Sequence, residues 1–489
     1  MQWRVSYYGA ISSKNTTPHL TNLIILGFLG IRNANGMATS SAYQFIASTI
    51  YHELPAAVQH MARRCLLDLV GTAIAGTQTP LSRTIRNHAV RAFGAGAGAP
   101  SARLMFDGRR ASPVGAALAG GMTIDSFDAH DGHVLTKGHA GCAVLPALLA
   151  VADTRDTSGA EFLASLAAGY EIAIRAGISQ HATAPDFHTS GSWNALGAAA
   201  VAAHLLGLDE TQFRHAIGIA EFHGPRSQMM RCIDFPTMLK DGSGWGAMGG
   251  ISAAYLAEDG FTGAPAIVVE GDNVKSFWND LGKEWRFLGM YFKPYPICRW
   301  AQPSVEAALI LRRKHNILPD TIDHVEIDTF EAGVRLNQRR PETTEEAQYS
   351  LPFPVAAALV RGQLLPTDIA GASLVDAEIL SMNDRIRPIT VPEIDKLFPA
   401  ERMARARIYL KDGTVFESEL TTARGDAERP LSDAEIAAKF HSVADDIIGG
   451  EGAALLRSTI ETLDSARSVH GLLDLVLAPV DAQRNAVAA

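Results

Sequence analysis

The chain has 489 residues, more than the roughly 250–300 at which one hydrophobic core usually stops growing, so at least two domains are expected. A composition of 47% hydrophobic and 19% charged residues excludes a disordered chain, and a net charge of -9 argues against a nucleic-acid-binding surface. The four cysteines, Cys65, Cys142, Cys232 and Cys298, lie far apart and show neither zinc-site nor ferredoxin-type spacings. A reducing, cytoplasmic setting fits best, although spacing alone leaves a disulfide or an unusual cluster open.

Residues 1–36 differ in composition from the rest of the chain. Their apolar run, Asn22 to Ile31, is too short to span a bilayer, and no small-x-small processing site comes after it. The segment reads as an extension outside the folded part, with Met37 a candidate start. From Pro55 the apolar series Val58, Met61, Ala62, Cys65, Leu66 and Leu69 has helical spacing, and Gly71 or Gly76 offers an end. Further helices are expected over Pro113 to Gly120, Gly141 to Ala152, Gly159 to Arg175, Leu196 to Leu206, Thr211 to Ala220 and Gly249 to Glu258. Their alanines and glycines permit close approach and point to a layered helical domain, residues 37–288.

After about residue 290 the period changes. His324 to Phe330 and Ala406, Ile408, Leu410 alternate as half-buried strands do, and Asp412-Gly413 marks a hairpin before Val415 to Leu420. A smaller α+β domain over residues 289–428 is expected. Ser432 to Phe440 and Gly452 to Thr462 read as helices again, so residues 429–489 are expected to rejoin the first domain.

The most chemically loaded stretch is Asp125 to Pro146, DSFDAHDGHVLTKGHAGCAVLP, with three aspartates, three histidines and a lysine between apolar runs. His130, His133, Lys137 and His139, with His188, Lys240, Lys293 and Arg299 later in the chain, suit a di- or tricarboxylate, because a desolvated carboxylate needs cationic partners. Eliminating water from such an acid needs a base for the proton alpha to a carboxylate, cations for the enediolate and an acid for the departing hydroxide. Histidine serves in either proton role near neutral pH. Asp125, Asp128, His130, Asp131, His133 and His139 are also competent divalent-metal ligands, but no His-Glu-x-x-His or helical triad is present, and no metal is expected. Gly244-Trp-Gly-Ala-Met-Gly249 satisfies Gly-x-Gly-x-x-Gly without a preceding strand, so helix packing explains it better than a dinucleotide site, and no cofactor is expected.

Four separated segments resemble the MmgE/PrpD family, which includes 2-methylcitrate dehydratase, cis-aconitate decarboxylase and iminodisuccinate epimerase. Phe292-Lys-Pro-Tyr-Pro-Ile-Cys298 is the most specific. His139 with Pro146 is similar to the family's active-site histidine segment, Asp125 and Asp128 to the outer acids of its aspartate box, His188 to its Phe-His-Pro box, and Lys240 to its substrate-holding lysine. The resemblance implies a mainly α fold, a large helical domain with an inserted smaller α+β lid. It further implies a cofactor-independent, homodimeric enzyme.

By that resemblance His139, His188, Asp125 and Asp128 are the catalytic candidates and Lys240, Lys293, Arg299 and Tyr349 bind substrate, while His130 and Lys137 join the substrate-binding set on their charge. The leading expectation is a dehydratase of a hydroxylated di- or tricarboxylate, with epimerisation, decarboxylation or a silent binding protein as alternatives. Phe127, Ala129, Ala140, Thr189, Gln302 and Gln348 depart from the family pattern. Gln302 stands where many relatives carry histidine and Gln348 where a cation is usual, which implies a less cationic lid and fewer substrate carboxylates.

Overall fold

The protein is described by a computed structural model over residues 41–481; the extension read at 1–36 lies outside the described residues. The first long helix, α1 (Ala56–Gly76), starts directly after Pro55 and runs to the second of its two expected stops. After it come α2 (Pro113–Asp125), α3 (Gly141–Ala152), α4 (Gly159–Thr183), α5 (Gly191–Leu206), α6 (Glu210–His223) and α7 (Ser243–Glu258). Side-chain caps set several starts: Ser112 accepts from Gly115 N, Ser158 from Glu161 N, and Asp209 forms a reciprocal capping box with Gln212.

Most of these helices are longer than their sequence signals, because glycine inside a helix is tolerated where packing requires it. The segment read as packing glycines is itself the start of α7. A Cβ on Gly244 would lie 2.4 Å from Met122 Cγ and 2.8 Å from the Leu118 carbonyl, and one on Gly250 would lie 2.4 Å from the Ala195 carbonyl. Helix α7 therefore seats backbone to backbone against α2 and α5. Gly244→Ala is expected to cost about 1–3 kcal/mol through overpacking, read as a lower urea midpoint at unchanged slope.

The second core is built on a mixed sheet of β3 (Ile322–Thr329), β4 (Ile386–Thr390), β5 (Met403–Leu410), β6 (Val415–Glu417) and β7 (Thr421–Thr422). The order is β4-β3-β5-β6, with β7 also on β5; β3 and β4 are parallel from Val325↔Ile386, and the other pairs are antiparallel. Gly413 sits at φ +89° in the expected turn. The strand after it stops at Glu417, and Thr421–Thr422 then pairs separately. Against this sheet pack α8 (Gln302–His315) and α9 (Pro352–Arg361). Two later helices, α10 (Asp433–Ile448) and α11 (Gly450–Glu461), return to α1, with Phe440 and Leu456 in the first core.

The architecture is mostly helical with a smaller mixed region, as the sequence led us to expect. The two apolar cores meet where Ala75, Phe127, Ala129, Met229, Cys232 and Ile233 join the sheet-side cluster. All four cysteines are free and buried. No helix among the described residues is long and apolar enough to cross a membrane.

Candidate active site

A short ladder assembles the site. The loop after α2 contains β1 (Gly132–His133), which pairs antiparallel with β2 (Met290–Tyr291) in the register Gly132↔Tyr291 and His133↔Met290. That pairing sets Lys293 beside Asp128, across 165 positions of sequence. The Lys293 ammonium donates to Asp128 Oδ1, and both groups are buried. Burial would push the Asp128 carboxyl up, but Lys293, then Lys240, His139 and His130, hold it well below the usual carboxylate range. Lys293→Ala would leave this carboxylate buried without its ion-pair partner, so a loss of about 3–5 kcal/mol in folding stability at neutral pH is expected, checked by denaturant titration.

His139 stands at the entry to α3. Its Nδ1 donates to the Asp131 carbonyl at 2.5 Å, leaving Nε2 as the lone-pair nitrogen, 3.7 Å from Asp128 Oδ1. Burial, reinforced by His130 and Lys293, lowers its pKa well below the ordinary histidine value. At neutral pH His139 is thus a neutral imidazole with a fixed tautomer. Its main chain is clamped too: its N–H donates to Ser190 Oγ at 2.9 Å, and its carbonyl accepts from Asn194 Nδ2 at 2.9 Å.

Ser190 leads to a group that the sequence reading passed over, Asp241. The Ser190 hydroxyl donates to Asp241 Oδ2, while the buried Oδ1 has no hydrogen-bond partner. Burial and the neighbouring Asp125 push the Asp241 carboxyl up to about 8, so it is protonated at neutral pH. Its position directly after Lys240 was the available signal, but an isolated aspartate before glycine reads as a turn residue.

A cavity of about 240 Å³ is lined by Asp128, His139, Lys293 and Asp241, together with Arg299, Tyr349 and Lys137 from the expected set. The Tyr349 hydroxyl, raised well above its usual pKa by burial and Asp128, is a donor at neutral pH. Lys137 is half-buried, with Nζ 4.1 Å from the centroid of Phe187. Arg299 pairs with Asp426 and lies over Tyr291. His133, Tyr291, Arg335 and Arg402 also line the cavity, and nothing in local sequence marked Arg335 or Arg402.

Other expected residues lie behind this wall. His130 Nε2 is 3.2 Å from Asp125 Oδ1, and Asp125 Oδ2 accepts from Asp241 N at 3.3 Å. Neither residue lines the cavity; they brace His139, whose ring meets that of His130 edge-on at 4.2 Å. Lys240, 2% exposed and held at φ +49°, donates to Gln348 Oε1 at 2.5 Å and lies 4.9 Å from the Tyr349 ring centroid. His188 is not brought to the cavity. It bridges to Gln228 in extended backbone, where successive side chains face opposite ways, so Phe187 lines the wall while His188 Nδ1 donates to the Asp186 carbonyl at 3.2 Å.

The two glutamine departures take structural roles. Gln348 accepts from the Asp128 N–H at 2.8 Å and from Lys240, and donates to the Ser126 carbonyl and Thr344 Oγ1, both at 3.0 Å. It ties the sheet side to the aspartate loop in a way that a cation would not, since a cation cannot accept. Gln302 donates to the carbonyls of Tyr295 and Ile297 and so holds the turn after Lys293.

Among the described residues, Asp128, His130 and His139 have potential metal-ligand atoms within 4.8 Å of one another. The ammonium on Asp128 and the carboxylate on His130 already use two of the three. The donor set is better matched to proton transfer than to a cation.

Residues 41–280 match the MmgE/PrpD N-terminal domain model and residues 295–465 the C-terminal one. A cis-aconitate decarboxylase-like protein, oryM, of Aspergillus oryzae is 24% identical over 480 residues, covering 90% of this chain and 97% of its own. The cis-aconitate decarboxylase of Mus musculus is 24% identical over 453 residues, covering 86% and 89%. An alkylcitrate dehydratase, phiI, from a fungal strain is 28% identical over 251 residues, covering 46% and 49%. With both domain models matched in order across a helical body and a smaller mixed region, this chain belongs to the MmgE/PrpD family.

Proposed function

We propose that the protein is a cofactor-independent carbon–oxygen lyase that removes water from a small hydroxylated di- or tricarboxylate. What carries the reading is the opposite protonation of two groups on one cavity wall: His139, a neutral imidazole with Nε2 free to accept, and Asp241, a carboxyl still holding its proton. Elimination uses both. In the proposed step, His139 Nε2 takes the proton alpha to a carboxylate, and the electron pair shifts to form the carbon–carbon double bond as the carbon–oxygen bond breaks. Asp241 gives its proton to the departing hydroxide, releasing water. Lys293, Arg299 and the Tyr349 hydroxyl stabilise the charge that grows on the carboxylate.

Decarboxylation is the second reading, favoured by relatives named cis-aconitate decarboxylase that cover most of the chain. There, loss of carbon dioxide leaves a carbanion that takes a proton, and no hydroxide departs. Proton NMR in heavy water with 2-methylcitrate, citrate, cis-aconitate and iminodisuccinate separates the cases. Vinyl signals growing from a hydroxy acid support elimination, whereas carbon dioxide released from the unsaturated acid overturns it in favour of decarboxylation. Loss of the alpha-proton signal alone identifies epimerisation.

Because Lys293 already holds Asp128, dialysis against EDTA is expected to leave turnover unchanged; a loss restored by a divalent ion would contradict this site. The reading extends to a cytoplasmic homodimer, since two-fold assemblies are the commonest. A purely monomeric species in sedimentation of the full chain would refute the dimer.

A further inference from the structure

A lysine interrupts the apolar face of α10. Ile436, Lys439 and Phe440 fall at helical spacing on the side packed against α1; Ile436 and Phe440 are buried in the first core, and a Cβ on Gly71 of α1 would lie 3.0 Å from Phe440 Cδ2. Lys439 is the polar member of this stripe, with its side chain 18% exposed. Its Nζ donates to Asp68 Oδ1 on α1 and to the Ala129 carbonyl, both at 2.6 Å.

Stability alone does not call for this lysine. A buried ion pair replaced by apolar residues of similar volume is commonly neutral or more stable, and Asp68 Oδ2 stays buried without a hydrogen-bond partner, a cost that an apolar pair would avoid. What the ammonium adds is direction. Alanine has no polar side chain, so the loop is anchored at Ala129 through its carbonyl. The adjoining Asp128 N–H donates to Gln348 Oε1 at 2.8 Å, and the loop is thus gripped from the sheet side and from the C-terminal helix. Two residues on, the Asp131 carbonyl accepts from His139 Nδ1 at 2.5 Å, the bond that keeps the proton off Nε2. Asp128 and His130, on either side of Ala129, flank the same imidazole, Asp128 Oδ1 at 3.7 Å from Nε2 and the His130 ring centroid at 4.2 Å.

We propose that Lys439 is a positioning residue for the proton transfer: by holding the Ala129 carbonyl, α10 fixes the loop whose Asp131 carbonyl sets the tautomer and orientation of His139. This rests on His139 being the base and adds to its support a residue from a helix that follows the smaller mixed region in the chain.

The test compares two variants of the full chain. Asp68→Asn keeps an oxygen that accepts from Lys439, so the ammonium stays on Ala129. Adding Lys439→Met to it removes the donor without stranding a buried carboxylate. Nitrogen NMR of the histidine-labelled chain, with the His139 signals identified by their loss in His139→Asn, reads the tautomer with no substrate present. Wild type and Asp68→Asn should show His139 with its proton on Nδ1 alone, and the double variant an average of both tautomers. Turnover of whichever acid the proton NMR assay shows to be consumed should fall about ten- to a hundred-fold in kcat between Asp68→Asn and the double variant, the scale of an ångström-sized misplacement, with KM changed less than about three-fold. A single Nδ1–H tautomer in the double variant would overturn the positioning role. Averaged tautomers at unchanged kcat would remove His139 from the proton transfer, so that the base reading fails and the link from Lys439 to turnover falls with it.

Discussion

His139→Asn is expected to lower kcat about a hundred- to ten-thousand-fold, the usual contribution of a positioned proton-transfer group. The substitution isolates the chemistry. An asparagine amide, whose Nδ2 stands where histidine has Nδ1, still donates to the Asp131 carbonyl, the bond that His139 Nδ1 makes at 2.5 Å, so the loop keeps its anchor, but no basic nitrogen remains. Alanine would confuse the result by leaving that buried carbonyl without a donor. Exchange of the substrate alpha proton with solvent should fall with kcat. Normal exchange in the variant would move the base role elsewhere.

Asp241→Asn is expected to reduce elimination by a similar factor, through loss of the acid rather than the base. Asparagine copies the shape of the protonated carboxyl but cannot transfer a proton to hydroxide. In the wild type, activity should fall as pH rises through about 8, where Asp241 loses its proton. Its acid limb should lie well below pH 6.5, where His139 becomes charged. The variant should lose the alkaline limb.

Stability supplies an independent sign. The folded carboxyl titrates near 8 and the unfolded one near 3.9, so between those values the folded state holds a proton that the unfolded state releases. The group's contribution is therefore full below about pH 4 and is lost as pH rises towards 8. Denaturation midpoints should show the wild type weakening relative to Asp241→Asn across that window. Parallel midpoints would mean that Asp241 is already ionised, and the acid role would fall.

Much of this site was legible in the chain. His139, Asp128, Lys293, Lys137, Arg299 and Tyr349 were all singled out, and they share one wall. They were legible because each sits in a local pattern whose residue types match the chemistry of a desolvated acid. Asp125, His130 and Lys240 were singled out as well, but they stand one layer back, bracing the groups in front. Local sequence does not distinguish a side chain that faces a cavity from one that supports it. His188 shows the same limit: a one-residue alternation in extended backbone exchanged it for Phe187.

By itself, the sequence determined the helical body, the switch to a smaller mixed region and the identity of most charged groups, since periodicity, caps and composition act over a few residues. Tertiary structure decided what those groups are. The β1–β2 ladder joined Asp128 to Lys293, and complete burial beside Asp125 kept a proton on Asp241. Gln348, which reads as a lost cation, became the acceptor that links Lys240 to the Asp128 backbone. These outcomes depend on desolvation and on contacts across more than a hundred residues of chain, and neither is a property of any local segment.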